Sequence, residues 1–554
     1  MHQKLAGHPG GMIGLPLNGL GVVKRSQDGV VNERPRRRTW IHAANEFNGR
    51  WIMPAFFWGT SSLLAIYQLD CLKPNHKGIM MLFYCLLALN LLFLSISLLL
   101  VKESIREQEH RAVRVGSFCV LLLVMVPGIL IAIPQSHTIA GIGFIFLLLL
   151  TVGLCLPGPQ NPKALQGTTG YLVADPERFD ESLSVFVRTR GLPEGSAVYQ
   201  QFYQANPELE KRDRRRREKG FLGRLGNIDG AYPANNAMVE ATDDIPHYLG
   251  HYARSIPVSE LKHPEMTPEK ATPIIKNFAL HLGADLVGIC KVNPAWTYSK
   301  RGEIHYDNWE DWGKEISDLP PYALVFLLEM SRDHVMSAPH TPSLAESATK
   351  YAKGAYISTI LARWFSHMGY RAFAEHTRNY DLILPPLAVD AGLGEIGRQG
   401  YLIAPKFGAR VRLFAVLTDM PLLTDKPVSL GVEAFCRTCL KCAESCPSRS
   451  IPKGEKTICR GVEKWKLDEE SCFAYWARAG TDCCICMAIC PFSRPNTRFH
   501  NTARWVVAHS LLGKRILPHI DNLIYGRRWK TRRVPDWLAY PKRSEINDIT
   551  GSSD

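Results

Sequence analysis

A helical membrane segment, an α/β domain and a compact cysteine-rich metal module are expected, in that order, along this chain. Three observations predict them: four uncharged apolar stretches in the first third, alternating strand and helix patterns from about Pro268 to Thr418, and ten of the 15 cysteines crowded between Cys436 and Cys490. A length of 554 residues accommodates about three or four domain-sized units. Apolar residues make up 46%, charged residues 21%, and mean hydropathy is −0.09, which excludes a disordered, collagen-like or simple coiled-coil chain. A net charge of +14 suits nucleic acid or an anionic membrane surface. The uneven spread of the apolar residues favours the membrane.

Residues 1–50 read as a basic arm and residues 51–156 as a membrane anchor of about four spans. The spans are Trp51–Leu69, Gly78–Val101, Val115–Ile133 and Thr138–Leu156, each of 19 residues or more. At 1.5 Å per residue that length crosses a hydrocarbon core of about 30 Å. The first is the weakest, interrupted by Pro54, Gly59 and Ser61–Ser62. Arg34 and Arg36–Arg38 mark the arm, Lys102, Arg106, Arg111 and Arg114 mark the second loop, and the 134–137 loop has no Lys or Arg. The positive-inside rule then puts the arm, the 102–114 loop and everything after residue 156 in the cytoplasm, as in a multi-pass protein of the cell inner membrane. Arg36–Arg38 is not read as an export signal, because Glu46 and Arg50 separate it from the apolar run. No span contains histidine, so the anchor is not expected to carry haem.

Residues 157–430 form the expected catalytic part. The basic run Lys211–Lys219 suits RNA or lipid head groups, but a solvated surface helix is the favoured reading. Apolar spacing predicts a helix over Thr272–Leu282, strands over Ala284–Ile289 and Ala323–Leu328, a long helix over Ala345–Met368 stopped by Gly369, and a strand over Val411–Thr418. This succession suggests an α/β sheet whose strand order stays open. Residues 501–554 are expected to pack back on this domain.

The strongest chemical signal lies in residues 431–500. Cys436-Arg-Thr-Cys439-Leu-Lys-Cys442-Ala-Glu-Ser-Cys446-Pro447 is the C-x2-C-x2-C-x3-C-P run of bacterial ferredoxins. Cys483, Cys486 and Cys490-Pro491 supply a second run lacking its first cysteine, for which Cys472 is the natural replacement. Three thiolates of each run wrap one cube and the fourth reaches the other. One [4Fe–4S] cluster then takes Cys436, Cys439, Cys442 and Cys490, and the other takes Cys446, Cys472, Cys483 and Cys486. Cys459 and Cys484 are left over. Zinc also accepts four thiolates, but eight cysteines with two Cys-Pro endings favour the ferredoxin-like pair of cubes.

The residues before this module narrow the reading. Ala391-Gly-Leu-Gly-Glu-Ile-Gly-Arg398-Gln-Gly400, Val411-Arg412-Leu413, Thr418-Asp419-Met-Pro-Leu422, Gly369-Tyr370-Arg-Ala372 and Cys472-Phe-Ala-Tyr-Trp476 together resemble the corrinoid-dependent reductive dehalogenases. The resemblance covers roughly residues 165–540 and includes Arg178-Phe-Asp-Glu181. It implies a nitroreductase-like corrinoid domain, a base-off cobalamin beside two [4Fe–4S] clusters, and replacement of carbon–halogen by carbon–hydrogen on an organohalide, with aromatic substrates expected. It also implies that the loop residues Gly392, Gly394, Glu395, Gly397 and Arg398 serve the cofactor. In the family a Tyr hydroxyl donates the proton and a nearby Arg or Lys favours the phenolate left behind. Family spacing favours Tyr356 as acid with Asn379 and Arg412, while Tyr351, Arg410 and Lys406 are rivals.

Here the spans are fused to the catalytic part, unlike members that carry a twin-arginine leader and use a separate anchor. No flavin or NAD module is visible, so a ferredoxin, a flavodoxin or a membrane oxidoreductase is expected to supply electrons. Nucleic acid is not an expected partner. Two alternatives stay open: an epoxyqueuosine-reductase-like enzyme acting on tRNA, and a non-catalytic ferredoxin-type subunit of a membrane electron-transfer complex.

Overall fold

Three apolar helices come first among the residues that the computed structural model describes, which are 74–132, 137–192, 194–220, 222, 233–253, 257–260, 266–302 and 311–532. They are α1 (Pro74–Arg106), α2 (His110–Ala132) and α3 (His137–Cys155). These cover the second to fourth expected spans; the first, Trp51–Leu69, lies outside the described residues. Among the described residues only Tyr84–Arg106 is both long and apolar enough to cross a membrane, with Ile145–Cys155 a shorter apolar helix. The multi-pass expectation is therefore reduced to one qualifying helix. Leu91, Phe118, Leu121, Phe146 and Leu149 are nevertheless exposed on all three helices, as side chains meant for an apolar surrounding would be. Phe83–Asp554 forms one compact unit.

The basic run is a helix, α4 (Pro207–Lys219), begun by Pro207 and ended at Gly220 with φ of +77°. Its arginines are not simply solvated. Asp213 and Arg216 are buried, Arg188 donates to Asp213 at 2.7 Å, and Arg216 reaches Asp213 at 3.0 Å and Glu470 at 2.5 Å. Arg217 donates to the Arg188 carbonyl at 2.8 Å and lies 4.9 Å over the Tyr199 ring. Part of the run thus locks the N-terminal region of the catalytic part onto the helix carrying Cys472.

The central sheet has the order β1 (Leu286–Lys291), β2 (Tyr322–Glu329), β6 (Val411–Thr418), β3 (Ala372–Glu375), every neighbour antiparallel. The remaining short strands are β4 (Glu395–Ile396) with β5 (Leu402–Ile403), and β7 (Thr457–Cys459) with β8 (Val462–Lys464). An alternating strand–helix succession suggests parallel neighbours, and the structure shows why it misleads here. β2 and β3 both run opposite to β6, so they are parallel to each other, joined by the long helix α5 (Thr341–His367). β6 is inserted between them, which makes a split βαβ unit. Sequence order alone does not say which strand fills that gap.

Both faces of the sheet are covered, which accounts for the unbroken apolar run Ala323–Leu328. Leu324, Phe326, Leu328, Phe414 and Val416 meet Ile357, Leu361 and Phe365 of α5. On the other face Val325, Leu327, Ala415 and Leu417 meet Leu387 and Leu393. Each Val, Leu, Ile or Phe among them contributes about 1.5–3 kcal/mol by leaving water. The contact stripe on α5 runs through Ser347, Tyr351, Gly354 and Ser358, at spacings of three and four. Gly354 is where the helix comes nearest to the sheet: a Cβ there would lie 2.1–2.3 Å from the Phe414 ring. Gly354→Ala is expected to destabilise the domain by about 1–3 kcal/mol through overpacking, despite the better helix propensity of alanine. Urea unfolding of the purified chain measures this; an unchanged midpoint contradicts it.

The cysteine module consists of α6 (Val432–Cys439), the helices Lys441–Ser445, Glu469–Ala479 and Ile485–Ile489, and the β7–β8 hairpin. Among its described residues there is no ferredoxin-type sheet, which corrects the ferredoxin-like expectation. Short helices replace it, separated by left-handed residues: Leu440 at φ +55° and Cys483 and Cys484 at +66° and +52°. These single left-handed steps turn the chain sharply between successive cysteines. Helix Arg498–His509 and α7 (Gly513–Tyr525) follow. α7 rests against α6 and against α2; residues 533–554 of the expected C-terminal extension lie outside the described residues.

Candidate functional site

Cys436, Cys439, Cys442 and Cys490 line one cavity together with Phe435 and Phe492. Two come from α6, the third from the helix Lys441–Ser445 and the fourth from the end of Ile485–Ile489. Burial pushes the Cys436 thiol far up, and the other three sulfurs of this cavity push it further. Burial likewise pushes Cys472 and Cys483 up to about 12, with Cys446 adding to both and Cys472 adding to Cys483. Cys486 is raised by burial and then by Cys483 and Cys472. The first four thiols share one cavity, and Cys472, Cys483 and Cys486 lie within electrostatic reach of one another.

Buried thiolates are costly unless a cation lies among them, and a coordinated thiol loses its proton outright. Two quartets of desolvated sulfur donors fit two iron–sulfur cubes. Among the described residues no group of three or more ligating side chains is drawn together as around a single metal ion; a cube spreads its thiolates more widely than one ion does. Cys459 sits in the β7–β8 hairpin, and Cys484 is buried with its Sγ 3.3 Å from Asp482 Oδ1.

The glycine loop before the module is built against the protein itself. Gly392 has φ of +73° and Gly394 +155°. A Cβ on them would lie 2.5 Å from the Lys426 carbonyl oxygen and 2.2 Å from that of Ile403. A Cβ on Gly397 would meet the Gln399 side chain at 2.8 Å. What approaches these glycines closely is thus the chain's own atoms.

Glu395 is buried and accepts from the amides of Leu430, Gly431 and Val432 at the start of α6; burial raises its carboxyl and these amides oppose the rise. Arg398 is buried and donates to the carbonyls of Cys436 at 3.1 Å, Pro452 at 3.0 Å and Gly454 at 2.8 Å, with its guanidinium 4.5 Å over the Trp465 ring. Both side chains, expected to serve a cofactor, are engaged in clamping the cysteine module. Gly400, at φ +80°, has open space where a Cβ would stand, and beside it Gln399 keeps its Nε2 buried without a partner. The open side of Gly400 leaves room for a bulky group such as a corrinoid, whereas Gln399 lines the cavity of Cys436, Cys439, Cys442 and Cys490.

Among the candidate catalytic residues, the structure pairs Arg412 with Tyr351 rather than Tyr356. Arg412 lies 5.2 Å over the Tyr351 ring and donates to Asp482 at 2.9 Å and Ser347 at 2.6 Å, with Nη1 3.6 Å from Met487 Sδ. Its Nε is buried without a partner. Burial raises the Tyr351 hydroxyl and the Arg412 charge opposes the rise. Tyr401 is also raised, by burial first and then by Cys486 and Cys472, with Arg412 opposing. Tyr356 is 53% exposed. Five helical residues from 351 to 356 amount to about 140° of rotation, which turns Tyr356 off the sheet-facing stripe.

Asn379 is buried, donates to the Ala374 carbonyl at 2.9 Å and closes the turn with His376 after β3. Arg410 is fully buried and spent on the carbonyls of Ser493 and Met330 and on Glu329. Lys406 is exposed at a left-handed turn. Sequence reasoning missed Ser347 and Asp482. Ser347 was findable one turn before Tyr351; Asp482, next to Cys483, carries no signal of its own.

No protein-family model matches the chain. It is 32% identical over 302 residues to a tetrachloroethene reductive dehalogenase of Sulfurospirillum multivorans, covering 49% of this chain and 60% of that one. It is 34% identical over 279 residues to a tetrachloroethene reductive dehalogenase of Desulfitobacterium hafniense, covering 43% and 50%. The matches thus span about half to three-fifths of the curated relatives' length. Among solved structures it resembles the catabolic reductive dehalogenase NpRdhA in complex with 3-bromo-4-hydroxybenzoic acid, with a TM-score of 0.52, 23% identity, and coverage of 68% of this chain and 51% of the other. That likeness supports the overall, mainly helical fold.

Proposed function

We propose that the protein is a reductive dehalogenase anchored to the membrane, which replaces carbon–halogen by carbon–hydrogen on an organohalide. The observation that carries the proposal is the reach of Arg412. It bridges Tyr351, a proton source, to Asp482 and Met487 inside the cysteine module, an electron source. The reaction takes up two electrons and one proton and releases halide, so the two sources must converge.

Cys436, Cys439, Cys442 and Cys490 would hold one [4Fe–4S] cluster, and Cys446, Cys472, Cys483 and Cys486 the other. Gly400 would border the corrinoid, and Gln399 the first cluster. When bound, these groups supply single electrons and a strongly reducing cobalt centre. The chain's own residues do the rest. Tyr351 gives the hydroxyl proton to the carbon that loses halide, and the Arg412 guanidinium stabilises the phenolate that remains. Asp482 and Ser347 keep the guanidinium over the ring, and the apolar packing around α5 excludes water.

An external donor, such as a ferredoxin, a flavodoxin or a membrane oxidoreductase, completes the circuit. The anchor reading extends to several spans with the catalytic part in the cytoplasm. The finer substrate reading is an aromatic organohalide. Two of the five arginines of α4, Arg216 and Arg217, are engaged within the protein, which takes them out of reach of a tRNA substrate.

The test is detergent-purified protein produced with corrinoid available. About eight iron atoms and one cobalt per chain are expected, with halide release from halogenated phenols under a low-potential reductant. Turnover of chloroethenes alone would replace the aromatic assignment. Iron without cobalt and without halide release would overturn the proposal in favour of an electron-transfer subunit.

A further inference from the structure

The loop between α1 and α2 is not a free connection. Glu107 and Glu109 are buried in the catalytic unit, at 6% and 7% exposure. Glu107 accepts from Arg332 at 2.9 Å and faces His500 Nε2 at 2.5 Å. Glu109 accepts from Arg494 at 2.7 Å and from Arg532, and lies 3.6 Å from Arg332. Arg494 in turn lies 3.8 Å from Asp521 of α7 and 3.6 Å over the Tyr525 ring. Asp521 pairs with Lys441, which also donates to the Asp521 carbonyl at 3.2 Å. Lys441 is wholly buried and stands in sequence between Cys439 and Cys442. A line of alternating charges therefore runs from the loop between two apolar helices to the first thiol quartet. Arg494 follows Cys490 by only four residues, so both ends of that quartet carry a member of the line.

We propose that Lys441 and Asp521 set the reduction potential of the cluster held by Cys436, Cys439, Cys442 and Cys490, and that Glu109 holds their balance through Arg494. The inference rests on the reading of those cysteines as cluster ligands. Adding one electron makes a cluster more negative. A buried cation beside it favours the reduced form and a buried anion disfavours it, strongly so where water is excluded. Both charges lie beside the ligands: Lys441 is buried between Cys439 and Cys442 in sequence, and Asp521 stands on α7, which packs on α6, the helix that carries Cys436 and Cys439. Arg494 is shared between Glu109 and Asp521. Loss of the Glu109 charge leaves Arg494 to Asp521 alone, which weakens the hold of Asp521 on Lys441 and exposes the cluster to more positive charge. Lys441, Asp521 and Glu109 are positioning residues; none is required to touch substrate. The consequence is that docking of the helical hairpin and the potential of one cluster are coupled.

The test is a redox titration of the full-length, iron-loaded protein in detergent, followed by electron paramagnetic resonance. Asp521→Asn and Glu109→Gln are expected to shift the potential of one cluster upward, Glu109→Gln by less, and Lys441→Met to shift the same cluster downward. The second cluster stays in place and serves as the internal reference. If Asp521→Asn fails to retain its iron, the opposite shifts of Lys441→Met and Glu109→Gln decide. Variants with full iron and unmoved potentials overturn the inference, as do equal shifts in both clusters, while the dehalogenase reading survives either result. A wild-type chain without iron overturns the cluster reading, and this inference with it.

Discussion

Tyr351→Phe is expected to lower dehalogenation by about 10²–10⁴-fold, the usual contribution of a positioned proton donor, while iron content and fold are retained. The phenylalanine ring keeps the edge-on contact with Phe414, 6.4 Å between centroids, so the packing of α5 on the sheet has no reason to change. Tyr356→Phe is expected to leave turnover near the wild-type rate, because an exposed hydroxyl turned away from Arg412 has no part in the proton transfer. Halide release by both variants under the same reductant, normalised to bound iron, separates the two tyrosines. Loss of activity in Tyr356→Phe with activity kept in Tyr351→Phe would reverse the assignment.

The second large effect concerns metal. Cys442→Ser and Cys446→Ser are each expected to remove about four of roughly eight iron atoms per chain, one cube at a time. Their apparent melting temperatures should fall, because coordination energy is also folding energy in a module of short helices. Cys459→Ser and Cys484→Ser are expected to keep all the iron. Iron and sulfide analysis with the visible absorption spectrum measures this. Depletion in Cys459→Ser or Cys484→Ser would show that the two quartets are wrongly drawn.

The choice between the two tyrosines shows how much of the site could be read early. Family spacing pointed to Tyr356, whereas the helical period of α5 puts Tyr351 on the stripe that faces the sheet. Ser347, Tyr351, Gly354, Ser358, Leu361 and Phe365 fall on one stripe, and all but the partly buried Tyr351 are buried. Glu395 and Arg398 teach a related lesson. A charged residue in a glycine loop looks like a ligand for something outside, but each found its partners in backbone amides or carbonyls of the cysteine module. Loop residues choose partners by proximity in space, which local sequence does not encode.

By itself, the sequence determined what local chemistry and periodicity can determine. The cysteine spacings, the strand at Val411–Thr418, the α5 helix with Gly369 just beyond it, and the three apolar helices all follow from short-range patterns. Only the tertiary structure decided that β6 enters between β2 and β3, and that short helices rather than a sheet carry the cysteines. It also decided that Arg412 lies over Tyr351 and that Glu107 and Glu109 are buried more than 380 residues in sequence from Arg494 and His500. The physical reason is plainest for the two charge placements. A helix or a thiol turn is specified by neighbours a few residues away, whereas a buried charge is placed by whichever opposite charge the folded chain brings beside it, because no other arrangement offsets its desolvation.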